Sequence, residues 1–436
     1  MSAPVRISVL NHASALIESA GIALVSDPWY AGTAFEDGWG LRFDNPAALA
    51  QAAAATHLWI SHFHEDHLHI PTLRALAAIN PDIVFLANRS WNFDLVPRAT
   101  GLGFRNVVPL GERERLVLGG GIAVTRYPVT GIDNMLLVEG PGWSVLNFND
   151  CVLPAVSQRM LARRLGPIDV FLCNFNHAGK LLHQRRTDDV RVKQALVSNF
   201  RQGAALFHPR FVIPFASHHY YRAPESAGQN TAMLTVAELG AIDPHVVPLN
   251  IGGSFVYQPE DGSGRIEHND PPAEALLAVT PRGDSLPVET VRDAAAGYLR
   301  KLRTGFGPLA WLLPPLRVRL ADLGRTVVLA PAAAQVADDD GPGDIACHSS
   351  MAQRWFSRTY GTDSFAVGAH FAIVSARKRR LVLHLAAALL VENKLDPRSM
   401  LRMLASRSGL RFLWNRREQI LGVLVSGKVY ADYHKE

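Results

Sequence analysis

The chain has 436 residues, 48% of them apolar and 19% charged, with 34 Gly and 27 Pro. Those proportions exclude collagen-like, disordered and coiled-coil classes, and the length points to two domains. The net charge is +5, but 13 Lys/Arg against 5 Asp/Glu between Phe371 and Glu436 put +8 in the tail and leave −3 elsewhere. A solvated helical face is the simpler reading of that tail, an anionic partner the sharper one. Three cysteines (Cys151, Cys173, Cys347) without CxxC spacing exclude a disulfide framework, a zinc ribbon and an iron–sulfur ligand set, and point to a reducing, cytoplasmic compartment. Against them stand 17 histidines, so a bound metal is expected on imidazole and carboxylate. No export signal or membrane span is expected: the N-terminus lacks a basic head and apolar core. Leu381 to Val391, the most apolar run, is about half a bilayer span.

In chain order, strands are expected at Val5–Leu10, Ala15–Glu18 and Ile22–Ser26, the last running into Asp27-Pro28. A helix over Pro46–Ala55 precedes a buried strand, His57–Ser61. The helix Pro71–Ile79, with Pro in its first turn, leads to a strand at Ile83–Ala87. Two hairpins follow, over Arg115–Arg126 and Met135–Phe148, then a helix at Pro154–Leu165 and a strand at Val170–Cys173. A helix around Val190–Ala205 and a strand at Phe211–Phe215 complete an α/β pattern of sheets covered by helices. Tyr257 to Ala273, dense in Gly, Pro and charge, is expected as a linker (257–273) between domains 1–256 and 274–436. Beyond it, helices are expected at Val288–Leu302 and Ser399–Ala405, and strands at Val327–Leu329, Phe365–Val367 and Ala372–Ser375. Together they form an additional α+β region. Asp338-Asp339-Asp340-Gly341-Pro342-Gly343 is expected as a solvated loop, and Ser349 as a helix cap.

The chemical centre is Ser61-His62-Phe63-His64-Glu65-Asp66-His67-Leu68, an HxHxDH run placed directly after an apolar strand. At a strand end, His62 and His64 are two apart and share a side, so both reach one ion. Once the chain turns, Asp66 and His67 serve a second. Glu65 alternates away from His64 and is not expected to act as a base.

This motif resembles the metallo-β-lactamase superfamily, and the resemblance spans roughly Val5 to Phe255. Asn11-His12-Ala13-Ser14, Asp27-Pro28 closing a strand, HxHxDH and then Asp150 after a strand occur in the matching order. The resemblance implies a four-layer αββα sandwich with a binuclear site at one sheet edge. It implies Asp150 as a carboxylate bridging two ions, where the residue-level alternative is a cap for the helix after Pro154. The superfamily's third histidine has no counterpart, because no histidine lies between Ile70 and Asn176. Asp133 is the best-placed carboxylate there, with Glu139 in reserve; as an Asp-Asn pair it also suits a turn. His62, His64 and Asp133 would be two histidines and one carboxylate, an arrangement associated with oxygen-activating non-haem iron. The last histidine is expected after Phe211–Phe215, where only one of His218 and His219 can face an ion. His218 is taken as that ligand, and His219 is left for substrate or a supporting carboxylate. His177, in the loop after Val170–Cys173, is a further candidate for contact with substrate or an ion, beside a plain surface role. Lys180, Arg185 and Arg186 could meet an anionic substrate.

Ile213-Pro214-Phe215-Ala216, Leu146 to Cys151, Ile132-Asp133-Asn134 and Asn230-Thr231 are similar to the CMP-N-acetylneuraminate hydroxylase-type branch. That likeness implies oxidation rather than hydrolysis. Two features depart from it. The CxH…CxxH pattern of a Rieske domain is absent, and Arg222-Ala223-Pro224 stands where that branch has its histidine. The expected function is therefore a non-haem diiron oxygenase acting on a small molecule, with O2 and electrons from a reductase. Zinc or manganese are the alternative metals. A zinc hydrolase of an ester, lactone, amide or phosphodiester is the second reading, and a non-catalytic binding protein the third. Gly101-Leu102-Gly103 and Gly119-Gly120-Gly121 read as turns rather than phosphate loops, and no G-x-S-x-G elbow occurs. Arg377-Lys378-Arg379-Arg380 lacks the interleaved aromatics of a nucleic-acid surface, so no nucleic acid is expected. An oligomer is compatible with the composition.

Overall fold

Alternation in the first strands, with Val5, Ile7 and Val9 turned inward, and fully apolar runs such as Val170–Cys173 build two sheets that share one core. A computed structural model describes residues 3–129, 132–179, 189–330, 333–337, 341 and 343–426. The first sheet has eight strands in the order Ser263–His268, Ser254–Gln258, Val5–Asn11, Ser14–Ser19, Ile22–Ser26, His57–Trp59, Val84–Asn88 and Asn106–Leu110. The second has six: Arg115–Gly119, Ile122–Pro128, Asn134–Gly140, Trp143–Asn149, Val170–Cys173 and Phe211–Pro214. Val5, Ile7 and Val9 of one sheet meet Val124, Leu136, Val138 and Val145 of the other in a buried layer. Helices Ala48–Ala53 and Ile70–Ile79 cover the outer face of the first sheet, and Ala155–Leu165 and Asp189–Phe207 that of the second. The result is the expected αββα sandwich.

Parallel pairing fixes where chemistry can sit. Ile22–Ser26, His57–Trp59 and Val84–Asn88 run parallel, as do Trp143–Asn149, Val170–Cys173 and Phe211–Pro214. Their C-terminal ends deliver Asp27, Ser61, Asn149 and Phe215 to one edge of the sandwich, as open parallel sheets do with ligand sites.

Beyond the sandwich, a five-stranded sheet ordered Ala334–Ala337, Arg325–Leu329, Leu316–Leu320, Ile345–Cys347 and Ala372–Ile373 packs with helices Val288–Phe306, Ser349–Ser357 and Lys378–Glu392. Three short helices follow. The last, Arg417–Ser426, returns to the sandwich, where Ser157 Oγ donates to the Glu418 carbonyl at 3.2 Å. Gly422 permits that approach, since a Cβ there would lie 1.9 Å from Ser157 Oγ.

Three local expectations change. The segment 257–273 is not simply a linker: Ser263–His268 pairs with Ser254–Gln258 as an edge hairpin of the first sheet. Phe365–Val367 is helical, within Gly361–Val367, because Phe365 belongs to a helix face packed on Trp355 and Phe371. His348, not Ser349, caps Ser349–Ser357, while Ser349 Oγ is engaged by Asp322. Asp338 to Asp340 lie outside the described residues.

Candidate metal centre

The His57–Trp59 strand ends against fixed hydrogen bonds. Asn88 Nδ2 donates to the carbonyls of Ile60 and Ser61, and Asn134 Nδ2 reaches Ser61 O at 2.7 Å. Ser61 N–H donates to Asp27 Oδ1 at 2.7 Å. The chain then winds through one turn, with the amides of His67 and Leu68 donating to the His64 carbonyl, which brings Asp66 and His67 back over the strand end. His12, Asp27, Asn149 and Ala216 around this edge all adopt positive φ (32°, 41°, 60° and 56°). Left-handed backbone at four non-glycine residues is strain concentrated at one place.

His62 and His67 are fully buried. His62 Nε2 lies 2.7 Å from His64 Nδ1, 3.8 Å from Asp133 Oδ1 and 3.7 Å from Asp150 Oδ2. The Nδ1 of His67 faces Asp27 Oδ2 at 3.1 Å, and its Nε2 lies 3.2 Å from Asp66 Oδ2 and 3.4 Å from Asp150 Oδ2. Asp27 also accepts from Asn149 Nδ2 at 2.6 Å, so a buried carboxylate orients the His67 ring from behind. Three donor groups result, each with ligand atoms within 4.8 Å of one another: His62–His64–Asp133, His62–His67–Asp150 and His12–Asp66–His67.

Electrostatics follow from this crowding. Burial, then the charge of His67, drives His62 well below its ordinary pKa. Burial and the Asp150 charge raise Asp133, so this carboxylate holds its proton where an ordinary one would not. Burial pushes Asp150 and Asp66 up too, but facing histidines outweigh it and hold both low. Burial lowers His64, yet Asp363 raises it to about 10.

The donor chemistry fits divalent ions. His12 Nδ1, Asp66 Oδ1, His67 Nε2, Asp150 Oδ1 and both nitrogens of His219 are buried without a hydrogen-bond partner among the described residues. Such orphaned atoms are costly unless they ligate.

His12 was not anticipated as a member: its Nε2 sits 3.0 Å from Asp66 Oδ2. Its position directly after the first strand, at the same sheet edge as Asp27 and Ser61, was the available signal. His218 and His219 separate as alternation requires, and the ring nearer the centre is that of His219 rather than the expected His218. His219 turns to the centre, stacked on Trp39 and 5.4 Å from the His12 ring. His218 turns away between Phe43 and Phe175, onto a cavity of about 220 Å³ also lined by Arg42, Thr235 and Asn250. His177 is buried rather than on the surface, with its ring against Tyr221 on the far side of His219 and a pKa pushed down to about 4 by burial. Glu65 points away, accepting from Phe35 N–H and Ser364 Oγ. Glu139 lies along the Asn134–Gly140 strand, 3.8 Å from exposed Arg115. Lys180, Arg185 and Arg186 lie outside the described residues.

Residues 6–174 match the family model described as a beta-lactamase superfamily domain. The match takes in the His62–His67 run, Asp133 and Asp150 of the centre just described. The chain is 29% identical over 234 residues to cytidine monophosphate-N-acetylneuraminic acid hydroxylase of Mus musculus, covering 49% of this chain and 39% of that protein. A similar match is the inactive cytidine monophosphate-N-acetylneuraminic acid hydroxylase of Homo sapiens, 29% identical, covering 45% of that protein. The chain thus spans about two fifths of the length of these curated relatives. Among solved structures, CmlA, a diiron beta-hydroxylase from Streptomyces venezuelae, is 17% identical with a TM-score of 0.41, covering 59% of this chain and 54% of CmlA. An isothiocyanate hydrolase from Delia radicum gut bacteria is 14% identical, also at 0.41, covering 57% of this chain and 97% of the hydrolase. Among the described residues, no helix is long and apolar enough to cross a membrane.

Proposed function

We propose that the protein is a binuclear-metal enzyme, a non-haem diiron oxygenase that hydroxylates or otherwise oxidises a small molecule. The observation that carries this reading is the His62–His64–Asp133 group, in which a carboxylate joins two histidines within 4.8 Å. Two histidines and one carboxylate suit iron, and further carboxylates at Asp66 and Asp150 favour iron or manganese over a soft-ligand metal. Ions held there would supply redox and Lewis-acid chemistry, with O2 as co-substrate and electrons from a reductase.

The chain's own contribution is positional. Asp150 stands within 4 Å of both His62 and His67, where one carboxylate can serve two ions. Trp29, Phe35 and Trp39, buried around His12 and His219, keep water from that side of the centre. His177 presents two nitrogens with no hydrogen-bond partner among the described residues, a group able to orient a polar substrate. A zinc hydrolase is the second reading, favoured by the imidazole-rich pairing of His12 and His67 around Asp66. Anaerobic metal analysis with oxygen-uptake measurement tests the choice. Two irons per chain, visible absorption and reductant-dependent O2 consumption are expected. Stoichiometric zinc with activity in oxygen-free buffer would replace the oxygenase reading with the hydrolase.

A further inference from the structure

The C-terminal region reaches the metal centre at one residue. Helix Gly361–Val367 places Asp363 so that its carboxylate oxygens lie 3.1 Å from His64 Nε2, across 299 residues of sequence. The other ring nitrogen, Nδ1, faces His62 Nε2 at 2.7 Å. One imidazole thus has a carboxylate on one nitrogen and the candidate ion group on the other. With Nε2 turned to Asp363, Nδ1 is the nitrogen that faces the His62–His64–Asp133 group. This is the way a carboxylate fixes tautomer and ring orientation of a metal-bound histidine.

The helix is held for this purpose at both ends of the contact. Glu392 accepts from the Thr362 and Asp363 amides at 3.0 and 3.4 Å. Ser364 Oγ donates to Glu65 Oε1 at 2.7 Å, and Glu65 is the neighbour of His64. Tyr360 packs on Phe63 with ring centroids 4.9 Å apart. The side chain of Asp363 is only 14% exposed, so its charge works against His64 with little competition from water.

We propose that Asp363 is a positioning residue of the metal centre, a carboxylate lent by the C-terminal region that orients His64 for one ion. The inference rests on the metal-centre reading above. Ion binding and the seating of helix Gly361–Val367 are then coupled, each stabilising the other.

The test uses the full-length protein stripped of metal and titrated anaerobically with Co2+ and with Fe2+ against a chromophoric chelator. Asp363→Ala is expected to weaken one of two ions by about 10- to 100-fold. Asp363→Glu should recover part of that loss, and Ser364→Ala, which loosens the same helix without touching His64, should change affinity less than about threefold. Hydrogen exchange across residues 357–368 should slow on ion addition in the wild type and not in Asp363→Ala. If Asp363→Ala does not fold, the near-isosteric Asp363→Asn takes its place, with circular dichroism of the ion-free proteins as the control. Unchanged affinity in the Asp363 variant, or an equal loss in Ser364→Ala, overturns the proposal while the wild type still binds two ions. A wild type that binds neither ion overturns the metal-centre reading itself, and this inference with it.

Discussion

The imidazole of His219 lies flat on the indole of Trp39, with centroids 3.7 Å apart and planes within 12°. Trp39 is held by Phe35 and Tyr221, each edge-on to it, so the ring of His219 has little freedom to turn. The neighbouring His218 occupies the opposite side of the strand start. His219→Ala is therefore expected to weaken ion binding about tenfold or more, by analogy with other losses at metal-facing residues. His218→Ala should keep the wild-type ion stoichiometry. Metal content after dialysis against a graded chelator series separates the two.

The identity of the residue at 133 is expected to set metal preference. Asp133→His converts two histidines and a carboxylate into three histidines, the donor set of catalytic zinc sites. Competition between Fe2+ and Zn2+ should shift toward zinc in that variant. An unchanged preference would remove Asp133 from the ligand set.

Acid sensitivity is expected from His370, which belongs to none of the three donor groups. Its Nε2–H donates to the Phe35 carbonyl at 2.6 Å, and its Nδ1 accepts from Arg282 at 3.2 Å. Burial pushes its pKa from 6.5 down to about 4, with Arg282 adding to the effect. Below pH 6.5 the unfolded chain takes up a proton that the folded one refuses, so stability is flat above 6.5 and falls between 6.5 and about 4. The loss is on the order of 3 kcal/mol. Urea unfolding of the ion-free protein from pH 4 to 8 should show a shallower acid slope in His370→Gln than in the wild type.

Glu112 is expected to dominate the junction between sandwich and C-terminal helices. It accepts from Arg416 Nη1 at 2.8 Å and Asn415 Nδ2 at 3.0 Å, all three being buried. The fully buried Arg126 also draws on its charge. Glu112→Gln leaves two buried guanidiniums poorly balanced and should cost about 3–5 kcal/mol in urea unfolding. Breaking the exposed Arg105–Asp82 pair should cost less than about 1 kcal/mol.

The sandwich was legible because its signals are local. Period-2 alternation, strand-ending Asp27 and the compact HxHxDH run lie within short windows, and each element appears close to where its pattern placed it. His62, His64, Asp66 and His67 come together for the same reason, whereas Asp133 and Asp150 reach them from strand ends of the second sheet. Other features depended on rotation or distance. Nothing in Ser217-His218-His219-Tyr220 says which imidazole faces inward, since that is decided by Trp39 across the pairing of His219 with Leu41. His12 needed the strand order, which sets the end of Val5–Asn11 on the same sheet edge as the end of His57–Trp59. Asp363 carries no local mark at all, because only the packing of helix Gly361–Val367 brings it near His64. Phe365–Val367 looked like a strand because apolar alternation over three residues does not distinguish strand from helix.

The return of helix Arg417–Ser426 to the sandwich has a consequence for synthesis. Gln419 Nε2 donates to the Pro128 carbonyl, and the next residue, Val129, bonds through its amide to Asp133 O. The loop bearing Asp133 is thus braced by a residue made 286 positions later, and His64 by one made 299 positions later. At roughly 5–20 residues per second, the HxHxDH motif is made about 18–70 s before both braces exist. A nascent chain carries the donors early but the geometry late, so ion retention is expected in chains that extend past Gln419 and not in ribosome-bound fragments that stop before Asp363.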